Sequence, residues 1–296
     1  MKKLSVKEFI KSKNKKQLIE VCCKNTSDAS AAEKSGVDMI IMASERPYSD
    51  YDIVRGKLNL NITNFEFKLF DFYSIRKAAP NVFMTLGIPY GEYTSEPDII
   101  KAGIKILKLG ADAVYCSMSP HLIKFMTREK IPVIGHVGMV PATQSWTDGY
   151  KAVGKNHKDA ISIYDHTKKL EDAGVIGIEM ELVPYKISEY ITKNTEIMII
   201  SMGSGNKCDA QYLFAEDILS SHSGHIPRHA KVYTNINEDL LKIQNKKIKA
   251  LSHFIEEVRN KKFPRKENIL EIEEIEFDKF IKLTKNLNKK NIYINI

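Results

Sequence analysis

Eight short apolar runs, most of them separated by helix-like segments, constrain the fold of this chain more than any other feature. Buried strands that alternate with helices build parallel sheets covered by helices on both faces. Eight such strands within 296 residues are the number expected of a closed barrel, so the sequence predicts a (β/α)8 TIM barrel of the α/β class. The runs lie at Gln17–Cys23, Met39–Ser44, Asn81–Ile88, Ala113–Ser117, Pro132–Ile134, Gly177–Leu182, Glu196–Gly203 and Gln211–Ala215.

A doubly wound open sheet is the competing architecture. It would require a glycine-rich phosphate turn after the first strand, and residues 22–27 contain no glycine. No Pro-, Ser- or Gly-rich linker interrupts the middle of the chain, which favours a single domain. We therefore predict a barrel over residues 1–270, with a lead-in helix whose Phe9 and Ile10 are available to cover one end of the core, and a polar helical tail over residues 271–296.

Composition argues against several classes of protein. The net charge is +8, but the excess lysines lie mostly in residues 2–16 and 242–290, among Asn and Ile rather than among stacking aromatics. A solvated surface and no nucleic-acid partner are therefore expected. No stretch approaches the roughly 18 apolar residues of a membrane span, so no membrane partner is expected. The cysteines lack metal-binding spacing, which indicates a reduced, cytoplasmic protein; they are Cys22, Cys23, Cys116 and Cys208.

Two carboxylates stand two residues apart in the sixth run. The alternation of side chains along a strand puts Glu179 and Glu181 on one side and the apolar residues on the other. If the apolar side meets the helices, both carboxylates face the barrel interior. Like charges there would repel, so one carboxylate would have a raised pKa or a cationic partner, which is how a general base is tuned. Glu181 is nearer the C-terminal end of the strand and is the candidate base. Glu179 is either catalytic or simply paired with His136 or a lysine.

The stretch from Pro132 to Lys155 carries the least generic combination of Gly, His, Pro and Trp in the chain. It predicts a short strand, Pro132–Ile134, followed by a loop that contains His136 between glycines. A strand that opens into a loop with an ionisable ring is typical of an active-site rim. The alternative is an ordinary surface loop with one hydrogen-bonded core histidine. After the seventh run, Gly203 and Gly205 are predicted to present backbone N–H groups to a carboxylate or phosphate.

Four segments, in order and spacing, resemble the ketopantoate hydroxymethyltransferase family, within the superfamily of phosphoenolpyruvate-mutase-like and isocitrate-lyase-like barrels. GHVGMVPATQSWTDGYKAVGK is similar to the family's GHLGLTPQ…GGYKVQG, and IEMELVP to its VLECVP. ISMGSGNKCDAQYLF resembles IGIGAG…CDGQVLV, and GIPYGEY resembles DMPFGSY. The resemblance covers Leu4 to about Asn268.

This resemblance implies a (β/α)8 barrel that assembles into a homo-oligomer, a decamer in the family. It also implies transfer of a hydroxymethyl group from 5,10-methylenetetrahydrofolate to a branched 2-oxo acid. In that reaction the oxo acid chelates Mg2+ and a glutamate removes the C3 proton. Glu181 matches the position of the family's base, and His136 matches its pocket histidine.

The chain departs from the family where the metal binds. Ser44 and Glu45 stand where the family has Asp-Ser, Gly87 replaces the Asp of DMPF, and Tyr115-Cys116-Ser117 replaces Lys-x-Glu. Mg2+ prefers carboxylate oxygens, so Glu45 or Glu179 is expected to supply any metal ligand. The residues expected to bind substrate are Ser44, Glu45, Gly87, Tyr115, Ser117, Gly203 and Ser204.

The leading hypothesis is therefore a diverged hydroxymethyltransferase that forms a carbon–carbon bond next to a 2-oxo group. Two alternatives stay open. One is a metal-independent lyase or hydrolase of another small acid. The other is a catalytically silent barrel that binds a metabolite or a partner protein.

Overall fold

Eight parallel strands close into a barrel in the computed structural model of the chain, which describes residues 3–43, 64–222 and 224–288. Each strand pairs with the next in the sequence, and the eighth pairs with the first. The predicted (β/α)8 barrel is confirmed. The strands are β1 (Leu18–Cys22), β2 (Met39–Met42), β3 (Phe83–Gly87), β4 (Ala113–Tyr115), β5 (Val133–Gly138), β6 (Gly177–Glu181), β7 (Met198–Met202) and β8 (Ala210–Phe214).

Helices connect most of the strands and cover the outside of the barrel. In chain order they are α1 (Val6–Lys11), α2 (Thr26–Ser35), α3 (Asn64–Ala78), α4 (Glu96–Lys108), α5 (Pro120–Arg128), α6 (His157–Asp172), α7 (Tyr185–Lys193) and α8 (Ala215–Leu219), with a 3-10 helix at Pro141–Thr147. None of the helices in the described ranges is long and apolar enough to cross a membrane.

The predicted end of the fifth strand was wrong. The strand continues to Gly138, so His136 lies inside β5 rather than in the loop after it. Glycine is disfavoured in strands and suggests a turn, but Gly135 has a packing role here. A Cβ atom at this position would lie 3.2 Å from Cδ1 of Leu170 on α6, so the absence of a side chain lets helix and strand approach closely.

Two buried apolar clusters separate the inside of the barrel from its outside. The outer cluster, between strands and helices, contains Ile178 and Met180 of β6. The inner cluster contains Ile134 of β5 and Ile200 of β7, the two strands on either side of β6. Since Ile178 and Met180 face the helices, the alternating residues of β6 face the interior, as the sequence predicts.

Phe9 of α1 fills the N-terminal end of the barrel. Its side chain is fully buried, and its ring stacks on Phe83 of β3 with 5.2 Å between centroids. A Cβ atom on Gly177, the first residue of β6, would lie 3.2 Å from Cζ of Phe9. The prediction that Phe9 covers one end of the core is therefore confirmed, whereas the same prediction for Ile10 is wrong, because that side chain is 41% exposed.

Three aspartates that precede strands hold the same end of the barrel together. Each accepts a hydrogen bond from a backbone N–H of a neighbouring strand and pairs with a basic side chain. Asp209 makes the most buried of these ion pairs, 2.7 Å from Nζ of Lys13. Such contacts at the N-terminal face stabilise a TIM barrel and leave the opposite face for function. The three are Asp38, Asp112 and Asp209.

The chain divides into two compact units, Met1–Ile236 and Asn237–Ile296. The second contains most of α9 (Ile236–Arg259) and all of α10 (Glu274–Asn288), with a cis peptide bond between Phe263 and Pro264. The helices expected in this part of the chain are present. The predicted boundary at residue 270 stays a prediction.

Candidate active site

Strand β6 presents two carboxylates to the inside of the barrel, on either side of one imidazole ring. Glu179 and Glu181 are 4% and 5% exposed, and His136 is 3% exposed. His136 lies opposite Glu179 in the register of β5 and β6. Its Nδ1 atom is 4.0 Å from Oε1 of Glu179, and its Nε2 atom is 3.7 Å from Oε2 of Glu181. Glu181 ends its strand at the C-terminal face, where TIM barrels have their active sites.

Both ring nitrogens of His136 have hydrogen-bond partners. Nε2 lies 2.7 Å from the carbonyl oxygen of Met139, and Nδ1 lies 2.8 Å from the hydroxyl of Tyr115. A carbonyl oxygen can only accept, so Nε2 carries the hydrogen. In the neutral ring Nδ1 then accepts the hydroxyl hydrogen of Tyr115. These two hydrogen bonds hold the ring of His136 firmly in place.

The loop after β5 is hydrogen bonded to the end of β6. The backbone N–H of Met139 donates to the carbonyl of Glu181 at 3.0 Å, and that of Val153 donates to the carbonyl of Leu182 at 3.1 Å. Gly138, with φ of 98°, lies so close that a Cβ atom there would be 2.1 Å from the carbonyl oxygen of Glu181. The backbone of the candidate base is therefore held by the loop that begins beside His136.

A second set of polar groups lies in the interior, on β1 and β8. Burial raises the pKa of Tyr212, and the charges of Glu179 and Glu20 raise it further. Burial raises the pKa of Glu20 to about 8. Among the described residues, neither Oε1 of Glu20 nor the hydroxyl of Thr85 on the nearby strand β3 has a hydrogen-bond partner. Glu20 is the single charged residue of an apolar run and stands at an inward-facing position, and this pattern is the signal in the sequence that points to it.

The predicted substrate-binding residues fall into three groups. Ser44 and Glu45 lie outside the described residues. Gly87 ends β3 and is the register partner of Tyr115, which ends β4. Ser117 follows, half-buried, at the same end of the barrel as Glu181. Tyr115 contacts His136 through the hydrogen bond described above, and the sequence did not predict this contact.

Gly203 and Ser204 follow β7 and pack against the end of β6. Gly203 has φ of 68°, and a Cβ atom on it would lie 2.8 Å from Cδ2 of Leu182. The hydroxyl of Ser204 donates to the carbonyl of Met180 at 2.9 Å and accepts from the N–H of Val183 at 3.0 Å. Both residues fix the end of the strand that carries Glu181, and their contact with substrate stays a prediction.

The buried trio also forms a carboxylate site suited to a divalent cation. One donor atom from each of His136, Glu179 and Glu181 lies within 4.8 Å of the others. His136 would have to exchange its hydrogen bond from Tyr115 for a metal bond, so the two carboxylates are the better ligands. Mg2+ is commonly held by one or two carboxylates, with water and substrate oxygens completing its octahedron. The donor set therefore fits such an ion.

Comparison with known proteins agrees with this geometry. Residues 3–266 match the sequence model of the ketopantoate hydroxymethyltransferase family. The chain is 32% identical over 272 residues to 3-methyl-2-oxobutanoate hydroxymethyltransferase of Kosmotoga olearia, covering 90% of this chain and 98% of that protein. Identity to the protein of that name in Thermosipho africanus is 30% over 274 residues, with coverage of 90% and 98%.

Solved structures confirm the architecture at low identity. The fold resembles that of 2,3-dimethylmalate lyase, a member of the PEP mutase/isocitrate lyase superfamily, with a TM-score of 0.53 and 11% identity over 72% of this chain and 81% of that one. That likeness supports the barrel alone. The sequence match, which spans the whole barrel, shows that the chain belongs to the ketopantoate hydroxymethyltransferase family, a family of one-carbon transferases.

Proposed function

We propose that this protein transfers a hydroxymethyl group to C3 of a branched 2-oxo acid such as 3-methyl-2-oxobutanoate, with Glu181 as the general base. The observation that carries the proposal is the position of Glu181. Its carboxylate is buried, faces the interior at the C-terminal end of β6, and lies 3.7 Å from a fixed imidazole. The family match supplies the reaction class, and the names of the relatives supply the substrate.

In the proposed reaction, Glu181 accepts the C3 proton and the substrate becomes an enolate. Hydrolysis of the methylene group of the proposed donor, 5,10-methylenetetrahydrofolate, breaks its two carbon–nitrogen bonds and gives tetrahydrofolate and formaldehyde, whose oxygen comes from water. C3 adds to the formaldehyde carbon as the C=O π bond opens, and the resulting alkoxide takes the proton from Glu181 and becomes the hydroxyl group. The hydrogen bonds around the backbone of Glu181 fix the base, which reduces the entropy cost of reaching the geometry for proton transfer. Burial of the carboxylate and of His136 keeps bulk water from competing for the proton.

Glu179 is the proposed ligand for Mg2+, because this assignment leaves Glu181 to accept the proton. Glu45 stays a second predicted ligand. A bound divalent cation would polarise the 2-oxo group and stabilise the enolate. The one-carbon donor is proposed to be 5,10-methylenetetrahydrofolate, on the basis of the family resemblance.

A homo-oligomer is also proposed, with the decamer of the family as the expected state. Large apolar side chains on the surface of α3 support an assembly, since Phe70 is 71% exposed and Tyr73 is 44% exposed. Light scattering coupled to size-exclusion chromatography would measure the state directly. A monomer at micromolar concentration would contradict this part of the proposal.

Exchange of the C3 proton with solvent tests the proposed function most directly. The protein would be incubated with 3-methyl-2-oxobutanoate in D2O, with and without Mg2+, and the methine signal followed by NMR. We expect enzyme-dependent loss of that signal without donor, and hydroxymethylated product when the folate donor is added. Exchange without product would support Glu181 as the base and would contradict 5,10-methylenetetrahydrofolate as the donor. Neither exchange nor product, with or without Mg2+, would overturn the proposed function.

A further inference from the structure

The end of β1 places one lysine at the mouth of the barrel. Lys24 follows the inward-facing Cys22 by two residues, so the alternation of the strand carries its side chain to the inner side. Among the described residues of the eight strands and of the two positions after each strand, Lys24 is the one lysine or arginine.

The ammonium group of Lys24 is buried although part of its stem is exposed. Its Nζ atom lies 4.9 Å from the ring centroid of Phe214, the register neighbour of Cys22 on β8. It forms an ion pair with Glu216. Beyond this carboxylate, its Nζ atom has no hydrogen-bond acceptor among the described residues. A buried ammonium can donate three hydrogen bonds, so this group is suited to an anion that brings oxygen atoms.

Lys24 shares its surroundings with the candidate active site. The pKa of the Cys22 thiol is raised mainly by burial, and the charges of both Glu179 and Glu216 contribute. The geometry of the strands agrees: Cys22 belongs to the inner cluster, Lys24 is the next residue on that side of the chain, and Glu179 is buried at an inward position of β6, so all three face the inside of the barrel. A 2-oxo acid entering that space would meet the negative carboxylates of β6, and a nearby cation offsets the repulsion.

We infer that Lys24 binds the carboxylate of the 2-oxo acid. This inference rests on the proposed function. It names an anion-binding residue on β1, a strand to which neither the sequence motifs nor the family match assign substrate contacts. Glu216 neutralises the ammonium in the free protein and competes with the substrate for it.

Binding measurements separate this role from a purely structural ion pair. Calorimetric titration would compare 3-methyl-2-oxobutanoate with its neutral amide, in the wild-type protein and in Lys24→Met. We expect Lys24→Met to weaken binding of the acid at least about tenfold and to leave the amide unchanged, since a hydrogen bond to a charged group is lost. Lys193→Met, which removes the surface pair with Glu189, is the matched control and should change neither affinity.

Two further variants keep the inference falsifiable. Glu216→Gln should bind the acid as tightly as the wild type or more tightly, whereas a structural pair would lose stability with either partner. Lys24→Gln replaces Lys24→Met if the latter folds poorly, as judged by circular dichroism. Equal affinity of Lys24→Met and wild type for the acid would overturn the inference alone. If the wild-type protein binds no 2-oxo acid, the proposed function falls, and the inference with it.

Discussion

The hydroxyl of Tyr115 lies 2.8 Å from Nδ1 of His136, while the other ring nitrogen contacts the carbonyl of Met139. The ring is thereby fixed at both nitrogens between the two carboxylates of β6. Tyr115 is thus a residue of the barrel interior that orients the histidine.

Removal of this hydroxyl should lower the rate and leave folding intact. Tyr115→Phe is expected to reduce kcat about tenfold, because the lost hydrogen bond holds His136 in position, with a smaller change in KM. The rate of C3 proton exchange measures the effect. Tyr190→Phe, at a position 60% exposed, is the control. An unchanged kcat in Tyr115→Phe would show that His136 needs no such support.

The two glutamates should respond differently to amidation. Glu181→Gln is expected to abolish C3 exchange, a loss of roughly 10²- to 10⁴-fold for a general base, while its melting temperature stays near that of the wild type. Glu179→Gln should retain exchange at saturating Mg2+ but require more of the ion. Equal activity of Glu181→Gln and wild type would assign the base elsewhere.

The buried ion pair at the N-terminal end should matter for stability rather than for turnover. Asp209→Asn leaves Lys13 buried without its counter-charge, so we expect a loss of about 3 kcal/mol in the free energy of unfolding. Lys169→Met removes the surface pair with Asp165, whose side chains are 61% and 57% exposed, and should cost less than about 1 kcal/mol. Chemical denaturation measures both. Similar losses in the two variants would contradict this assignment.

Glu20 predicts a pH dependence of stability. Burial raises its pKa from 4.5 to about 8, so between these values the folded protein holds a proton that the unfolded chain has released. Stability contributed by this proton is full below pH 4.5 and declines towards pH 8, by at most about 1.4 kcal/mol per pH unit. Glu20→Gln does not titrate, so its stability relative to the wild type should rise across that range. A constant difference from pH 5 to pH 8 would exclude an ionisable, buried Glu20.

Local patterns in the sequence were sufficient for the barrel and for the orientation of β6. Alternation alone predicts that Glu179 and Glu181 face inward, because a strand covered by helices on one side leaves only one side for polar groups. The place of His136 could not be predicted, since Gly135 looks like a turn residue until its contact with Leu170 is known. The pairing of Tyr115 with His136 depends on the stagger of two strands.

The inward direction of the Lys24 side chain could not be predicted from the sequence either. Lysine after a strand is common on surfaces, and only the contact with Phe214 shows that its ammonium is directed inward. Residues 44–63 stay outside this comparison, so the expectations for Ser44 and Glu45 remain predictions.

Phe9 closes the N-terminal end of the barrel, and this closure affects the order in which ligands bind and leave. Ligands that reach Glu181 enter and leave through one opening, so a bulky donor bound at the mouth would block the smaller acid beneath it. We therefore expect a compulsory order of addition, with the oxo acid first, and the elongated acid product released only after the spent donor has departed.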